Sequence, residues 1–231
     1  MVSVITGASK GIGKELVINL ASKGYDIIFT YNNSKKEAED LKSFIVKNYN
    51  VKIDTQKCDI SKEDDIVKLR DFILDKYSSI DILINNAALS LDSEIDEKTK
   101  KEFMKVLEVN VVGTFLVIKY LFTYVTNAIV NVSSTDSEDT YSLLNIDYSS
   151  SKAAINIVTK TFALKLKDIK VIGVMPNWTN TESIKEMNQN YLKEEMNRIG
   201  QEKLEEPNIV ATNIVDLIFD ETVTSGEIRR V

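Results

Sequence analysis

Apolar residues in this chain follow two alternating patterns. Compact runs rich in Val and Ile occur at 2–5, 26–31, 51–57, 82–85, 128–132, 170–175 and 227–231, and each reads as a strand. In the stretches 11–22, 35–49, 62–77, 99–125 and 148–166, apolar residues return every three or four positions with charged ones between them. That is the spacing of a helix with one buried face. Strand and helix alternate for most of the length, the order that builds a parallel sheet covered by helices on both sides. The expected fold is α/β, a doubly wound Rossmann sheet of seven parallel strands.

Local signals refine this picture. Asp59 or Ser61 is placed to cap the third helix, with acids in its first turn, where the helix dipole favours them. Between the sixth and seventh strands the polar segment 177–207 breaks the rhythm. Its length suits a lid over a site. No internal repeat or low-complexity tract interrupts the chain, and its only prolines are Pro176 and Pro207. At 231 residues the chain fits one domain, 1–231, with an ample core.

Composition narrows the chemistry. Hydrophobic residues make up 43% and charged residues 28% of a chain with net charge -6, a balance that argues against nucleic acid as a partner. The single cysteine, Cys58, excludes an internal disulfide and fits a reducing compartment. With no histidine besides, no metal site is expected. The N-terminus lacks the basic and apolar regions of a signal peptide, and no apolar run approaches the ~18 residues of a membrane span. A cytoplasmic protein is expected.

The segment Val4-Ile5-Thr6-Gly7-Ala8-Ser9-Lys10-Gly11-Ile12-Gly13 reads as a strand, a glycine turn and a helix start. Gly7 permits a tight turn, Gly11 lets a ligand approach the backbone, and Gly13 lets helix pack on sheet. A pyrophosphate placed there meets the amides and positive dipole end of the helix. The spacing G-x-x-x-G-x-G departs from the common dinucleotide fingerprint G-x-G-x-x-G, but its setting is the same. After the second strand, Thr30-Tyr31-Asn32-Asn33-Ser34-Lys35-Lys36 holds no carboxylate for ribose hydroxyls. Lys10, or more weakly Lys35 or Lys36, offers positive charge to a 2′-phosphate. NADP(H) is therefore expected over NAD(H), which stays open.

In a chain without histidine, proton chemistry near neutral pH needs another tuned group. Tyr148 and Lys152 stand four residues apart, with Ser134 fourteen residues upstream. If Tyr148 opens a helix, Lys152 shares its face, and its cation would lower a phenol that ordinarily titrates near ~10. Tyr141 is the rival, but the residue four later is Asn145, which carries no charge.

Together these features resemble the short-chain dehydrogenase/reductase family over essentially the whole chain. Thr6-Gly7-Ala8-Ser9-Lys10-Gly11-Ile12-Gly13 is similar to its cofactor turn, and Cys58-Asp59-Ile60 to its adenine-contacting segment. Asn85-Asn86-Ala87-Ala88 resembles its N-N-A-G motif with Ala88 in place of glycine, and Asn110 matches the asparagine of its catalytic set. In isolation Asn110 reads as a polar residue inside a helix. Asn131-Val132-Ser133-Ser134 and the stretch 148–152 resemble the remaining active-site motifs, Ser134 being preferred because the family's active serine is the second of the pair.

The resemblance implies an NADP-dependent oxidoreductase that reduces a carbonyl to a secondary alcohol. Tyr148 would protonate the carbonyl oxygen, Ser134 hydrogen-bond it, Lys152 depress the tyrosine and hold the ribose, and Asn110 position a relaying water. Cofactor contacts are implied for Gly7, Ser9, Lys10, Gly11, Ile12, Gly13, Asn32, Asn33, Ser34, Asp59, Ile60, Asn86, Ala87, Tyr148 and Lys152. After the sixth strand they are implied for Pro176, Thr179 and Thr181.

Within the family the cofactor turn, the stretch 31–39 and the tail 222–231 are most similar to 3-oxoacyl-acyl-carrier-protein reductases, implying an acyl-thioester substrate, fatty acid biosynthesis and an acyl carrier protein as partner. Pro176-Asn177 departs from the P-G of many members, and the D-G-G ending of relatives is missing. A basic docking patch is offered by Lys165, Lys167 and Lys170, although a solvated helix end accounts for them as simply. Another small ketone, a sugar or a diketone is the alternative substrate, and a non-catalytic dinucleotide-binding regulator the alternative class. Trp178, Met187 and Met196 suit either a substrate pocket or packing. Val111, Phe115 and Ile118 suit either core or interface, and the family implies a homodimer or homotetramer.

Overall fold

The computed structural model describes residues 1–231. Its centre is a sheet of seven parallel strands: β1 (Val2–Ile5), β2 (Asp26–Tyr31), β3 (Ile53–Lys57), β4 (Ile80–Asn85), β5 (Val125–Val132), β6 (Lys170–Met175) and β7 (Ile228–Arg230). They lie in the order β3-β2-β1-β4-β5-β6-β7. The expected doubly wound sheet is present, and β1, β2 and β6 have the boundaries the apolar runs predict. β3 starts two residues later than expected, and β4 and β5 start earlier, because strand ends carry polar residues that an apolar run cannot mark.

The helices are α1 (Gly11–Ser22), α2 (Lys35–Asn48), α3 (Glu63–Lys76), α4 (Lys100–Leu107), α5 (Thr114–Leu121), α6 (Ile146–Lys165), α7 (Glu182–Lys185), α8 (Gln189–Ile199) and α9 (Pro207–Phe219). Alternate strand residues face opposite sides of the sheet. Ile5, Ile82, Ile84, Ala128 and Val130 join α1, α2 and α9 in one core, while Val4, Leu83 and Ile129 join α3, α5 and the end of α6 in the other.

α9 is a helix that the sequence reading left unassigned. Pro207 opens it, a position where a missing N–H costs nothing. Its buried residues Val210, Ala211, Ile214, Val215 and Ile218 keep helical spacing, so the signal was there. α3 has no side-chain cap, and its N-cap is Lys62. Asp59 instead accepts from the N–H and hydroxyl of Ser61, at 3.1 and 2.7 Å, so neither expected residue caps it.

α4 and α5 are joined by a π-helical segment, Glu108–Gly113. The run Lys100–Tyr124 spans 25 residues and contains an 18-residue window with a mean hydropathy of 1.6, long and apolar enough to cross a membrane by composition, and 39% of that window is buried. That corrects the expectation that no stretch approaches such a length. The run packs on α3 and α6 and carries a buried asparagine at its middle.

Candidate active site

In a parallel sheet every strand ends on the same edge, and ligands bind where the strand order reverses. Here the reversal lies between β1 and β4. Gly7 follows β1, Asn32 β2, Asp59 β3, Asn86 β4, Ser134 β5 and Pro176 β6. Residues scattered over the sequence thus share one rim.

The glycine turn is held open by its neighbours. Gly7 has φ +60° and Gly11 φ +54°, values that side chains other than hydrogen resist. A Cβ on Gly7 would lie 2.6 Å from the Cα of Ala87. The Gly7 N–H donates to Thr30 Oγ1 at 3.0 Å, and the Asn86 amide donates to the carbonyls of Thr6 and Gly7 at 3.1 and 2.9 Å. Asn86 therefore struts the turn. α1 has neither a side-chain cap nor an acid in its first turn, so the amides around Gly11, Ile12 and Gly13 stay open to an anion.

Below the turn runs a cleft of about 1240 Å³ that collects Gly7, Asn32, Asn33, Ser34, Asp59, Ile60 and Ala87. Seven of the predicted dinucleotide contacts, from the ends of four strands, therefore share one cavity. Ser9 and Lys10 face a neighbouring hollow with Glu37. The Lys10 ammonium lies 3.0 Å from Glu37, both side chains being nearly half exposed. The stretch before α2 has no acid, as expected, but its first turn supplies one. Thr181 approaches the turn, its methyl 3.2 Å from where a Cβ on Gly11 would stand.

Ser134, Tyr148 and Lys152 form a second group. The Ser134 hydroxyl lies close enough to the Tyr148 phenol to favour its ionised form, whereas Ser133 donates to the carbonyl of Lys152 at 3.0 Å. Of the two serines, Ser134 thus faces the tyrosine. Lys152 is 3% exposed, and its Nζ donates to the Val132 carbonyl at 2.7 Å and lies 5.3 Å from the Tyr148 ring centre. Tyr148 is the third residue of α6 rather than its first.

The electrostatics differ from the expected lowering of the phenol. Burial pushes Tyr148 above its ordinary value, with the carboxylates of Asp136 and Asp92 adding and the Ser134 hydrogen bond opposing. Burial also brings Lys152 down to about 8, against Asp136, which supports its charge. Burial dominates both groups, and the Lys152 ammonium is hydrogen-bonded to the Val132 carbonyl.

Asn110 lies in the π-helical segment and is 1% exposed. Its side-chain oxygen accepts from the Leu89 N–H at 2.7 Å, and its amide donates to the Leu89 carbonyl and Ser151 Oγ, both at 2.9 Å. Both amide hydrogens are engaged with protein, so the side chain clamps the loop after β4 to α6. Ser151 in turn donates to the Tyr148 carbonyl at 2.6 Å, which extends the clamp to the tyrosine.

After β6, Asn177 adopts no positive φ. Its side-chain oxygen accepts from the Trp178 N–H at 3.0 Å and Thr135 Oγ1 at 3.1 Å. The Pro176 carbonyl accepts from the Thr135 N–H at 3.1 Å, and Thr179 Oγ1 donates to the Asn177 carbonyl at 2.8 Å. The departure from glycine thus replaces backbone freedom with a tether to the Ser134 turn. Trp178 is buried, Met187 and Met196 are half-buried, and Tyr141 is exposed.

Two charged groups escaped the sequence reading. Asp136, 5% exposed, stands two residues past Ser134. Lys98 and Asp147 form an almost fully buried ion pair beside Tyr148. Neither lies in a motif, although Asp136 and Asp147 neighbour Ser134 and Tyr148 in sequence, and folding adds Lys98. The basic trio Lys165, Lys167 and Lys170 lies elsewhere. Lys165 ends α6 and Tyr148 lies in its first turn, about 25 Å apart along the helix at ~1.5 Å per residue. Lys170 opens β6 and is tied to the carbonyls of Ile218 and Asp220 at 3.0 and 2.7 Å.

A family model described as short chain dehydrogenase matches residues 1–192. Glucose 1-dehydrogenase 2 of Bacillus subtilis (strain 168) is 26% identical over 228 residues, which cover 95% of this chain and 88% of that protein. The 3-oxoacyl-[acyl-carrier-protein] reductase FabG of Thermotoga maritima is 29% identical over 238 residues, covering 96% and 91%. Among solved structures, a dehydrogenase/reductase from Sinorhizobium meliloti 1021 superposes with a TM-score of 0.92 at 24% identity, covering 100% of this chain and 92% of its own. A short chain dehydrogenase from Burkholderia cenocepacia J2315 in complex with NADP gives 0.91 at 22%, covering 99% and 95%.

Proposed function

The chain belongs to the short-chain dehydrogenase family, and on that footing we propose that it is an NADP(H)-dependent reductase that converts a carbonyl to a secondary alcohol. The observation that carries the reading is the placement of Ser134, Tyr148 and Lys152 on the rim that also holds the open glycine turn. A nicotinamide dinucleotide bound along the cleft would supply the hydride. Gly7 and Gly11 leave room for its pyrophosphate, and Asn32, Asn33, Ser34, Asp59 and Ile60 line the adenosine end.

Tyr148, raised by its surroundings, holds its proton at neutral pH and is ready to hand it to a carbonyl oxygen. Ser134 donates to the same oxygen, and buried Lys152 keeps a cation beneath the site. Such a general acid contributes roughly 10² to 10⁴ in rate. Asn110 holds the loop and helix that frame them. The segment 177–206, anchored through Asn177 and reaching Gly11 through Thr181, is assigned as the lid.

The preference for NADP(H) rests on a carboxylate-free stretch at Asn32, Asn33 and Ser34 and on Lys10. The Lys10–Glu37 pair is nearly half exposed on both sides, a kind that contributes little, so a 2′-phosphate competes for Lys10 readily. Lys57, in no ion pair, lines the same cleft.

A 3-oxoacyl thioester is the substrate class favoured by the relatives named as acyl-carrier-protein reductases. A sugar or other small ketone is the second reading, favoured by the relative named as a glucose dehydrogenase and by the distance of the basic trio from Tyr148. Self-association through α5 and α6 belongs to the same proposal, since Phe115, Ile157 and Leu164 leave an apolar surface exposed there. So does a cytoplasmic setting, supported by the lone free cysteine.

The test is NADPH and NADH oxidation with oxoacyl thioesters, sugars, ketosteroids and small diketones, beside Tyr148→Phe. Turnover that disappears in the variant while cofactor still binds is expected. Cofactor binding without turnover of any carbonyl by the wild type would favour a regulatory binding protein.

A further inference from the structure

Asp136 is buried, charged, beside the active serine, and has no part in the reaction as drawn. It lies in the 3-10 turn Thr135–Ser137, and its own N–H donates to Ser134 Oγ at 3.1 Å. Its carboxylate accepts two side-chain hydrogen bonds and stands near a third donor. Thr140 Oγ1 donates at 2.6 Å and Asn145 Nδ2 at 3.1 Å, and the indole N–H of Trp178 faces it as well. Asn145 is the N-cap residue of α6, the helix of Tyr148, and Trp178 lies at the root of the 177–206 segment.

The same loop takes the other pins of that segment. Arg198 of α8 donates to the Tyr141 carbonyl at 2.6 Å, and Tyr191 Oη hydrogen-bonds Ser142 Oγ at 3.0 Å. Thr135 Oγ1 links Thr140 at 2.7 Å to Asn177 at 3.1 Å. A carboxylate can accept from several donors at once, so one side chain serves where three elements meet.

We propose that Asp136 is a positioning residue that ties the Ser134 turn, the start of the Tyr148 helix and the root of the 177–206 segment together, so that closure of the segment reaches the reacting groups. The role rests on the reading of Tyr148 and Lys152 given above. Its charge acts on that pair too. Facing Asp136 are Tyr148 and Lys152 from α6 and Arg198 from α8, while Asp92, after β4, acts on Tyr148. Asp136 opposes the phenolate and supports the ammonium, so neutralising it moves both groups down.

Asp136→Asn preserves shape, but its amide nitrogen meets the donor of Asn145 and its one oxygen cannot serve all three partners. Trp178, the only tryptophan and 9% exposed, reports on the junction without any turnover. Fluorescence would be recorded for wild type and Asp136→Asn with and without NADP⁺, together with the pH profile of kcat and the substrate KM. Expected are a red-shifted Trp178 emission with a smaller response to NADP⁺, a KM raised roughly 3- to 10-fold, and a pH limb moved acidward by about half a unit or more.

A uniform loss of rate with emission and pH limb unmoved would overturn the proposal, as would a variant indistinguishable from wild type. If the wild type turns over no carbonyl, the emission change alone decides, so failure of the reductase reading stays separate. Should Asp136→Asn not fold, Thr140→Val removes one donor and keeps the charge. It is expected to shift Trp178 emission and raise KM with the pH limb nearly in place, and unchanged emission and KM would count against the proposal.

Discussion

Lys98 and Asp147 form an ion pair at 3.0 Å with side chains 3% and 0% exposed. The Asp147 Oδ1 also accepts from the Tyr148 N–H at 2.9 Å, and Lys98 donates to the Leu91 carbonyl. The pair thus fastens the loop after β4 to the helix turn that carries Tyr148. Removing one partner strands a charge in the interior, which costs about 3–5 kcal/mol. Lys98→Met or Asp147→Leu alone is expected to lower the unfolding free energy by that much, and the double variant to recover most of it. Chemical denaturation of the four proteins measures the coupling, and simple additivity would count against it.

Burial lowers Lys152 to about 8, from an unfolded value near ~10.4. Between those values the unfolded chain binds the proton and the folded chain does not, so stability rises with pH across roughly 8 to 10. Measured against Lys152→Met, which lacks the titration, the wild type is expected to gain on the order of 2 kcal/mol over that window. Tyr148, raised when folded, works in the opposite direction only above its ordinary range. Urea unfolding at several pH values makes the comparison, and parallel curves for the two proteins would contradict it.

Glu37 and Lys10 give the cofactor preference a handle. Glu37→Gln frees Lys10 and removes a negative charge, so the ratio of kcat/KM for NADPH over NADH is expected to rise several-fold, the gain being limited because the pair is exposed. Lys10→Ala is expected to reduce the ratio. Steady-state kinetics with both cofactors reads the result, and an unchanged ratio in both variants would remove Lys10 from the phosphate site.

Asn110→Ala leaves the Leu89 N–H and carbonyl without the partners found at 2.7 and 2.9 Å. Unmade buried hydrogen bonds cost about 1–3 kcal/mol each. A thermal midpoint several degrees lower is expected, with kcat falling because the loop and α6 lose their clamp. Differential scanning calorimetry beside kinetics checks both, and unaltered stability with lost turnover would point to direct participation in proton transfer.

Much of the architecture was readable because local chemistry repeats along the chain. The Val and Ile runs at 2–5, 26–31 and 170–175 could be only buried strands, and their order dictated parallel pairing. The glycine turn, Ser134, Tyr148 and Lys152 stood in recognisable local settings. α9 was readable too, through Pro207 and the spacing of Val210, Ile214 and Ile218. By contrast, the π-helical segment at Asn110 keeps helix-like spacing and leaves no mark in the pattern.

What the sequence determined by itself was therefore the alternation of elements, the phosphate-accepting turn and the types of the reacting groups, since each depends on neighbours within a few positions. Only the tertiary structure decided how those groups titrate and what holds them. The Lys152 ammonium turns to Val132, Glu37 meets Lys10, Lys98 meets Asp147, and Asp136 gathers Thr140, Asn145 and Trp178. Each of these depends on burial and on partners brought together by strand order, and desolvation is a property of the folded interior that no spacing along a chain records.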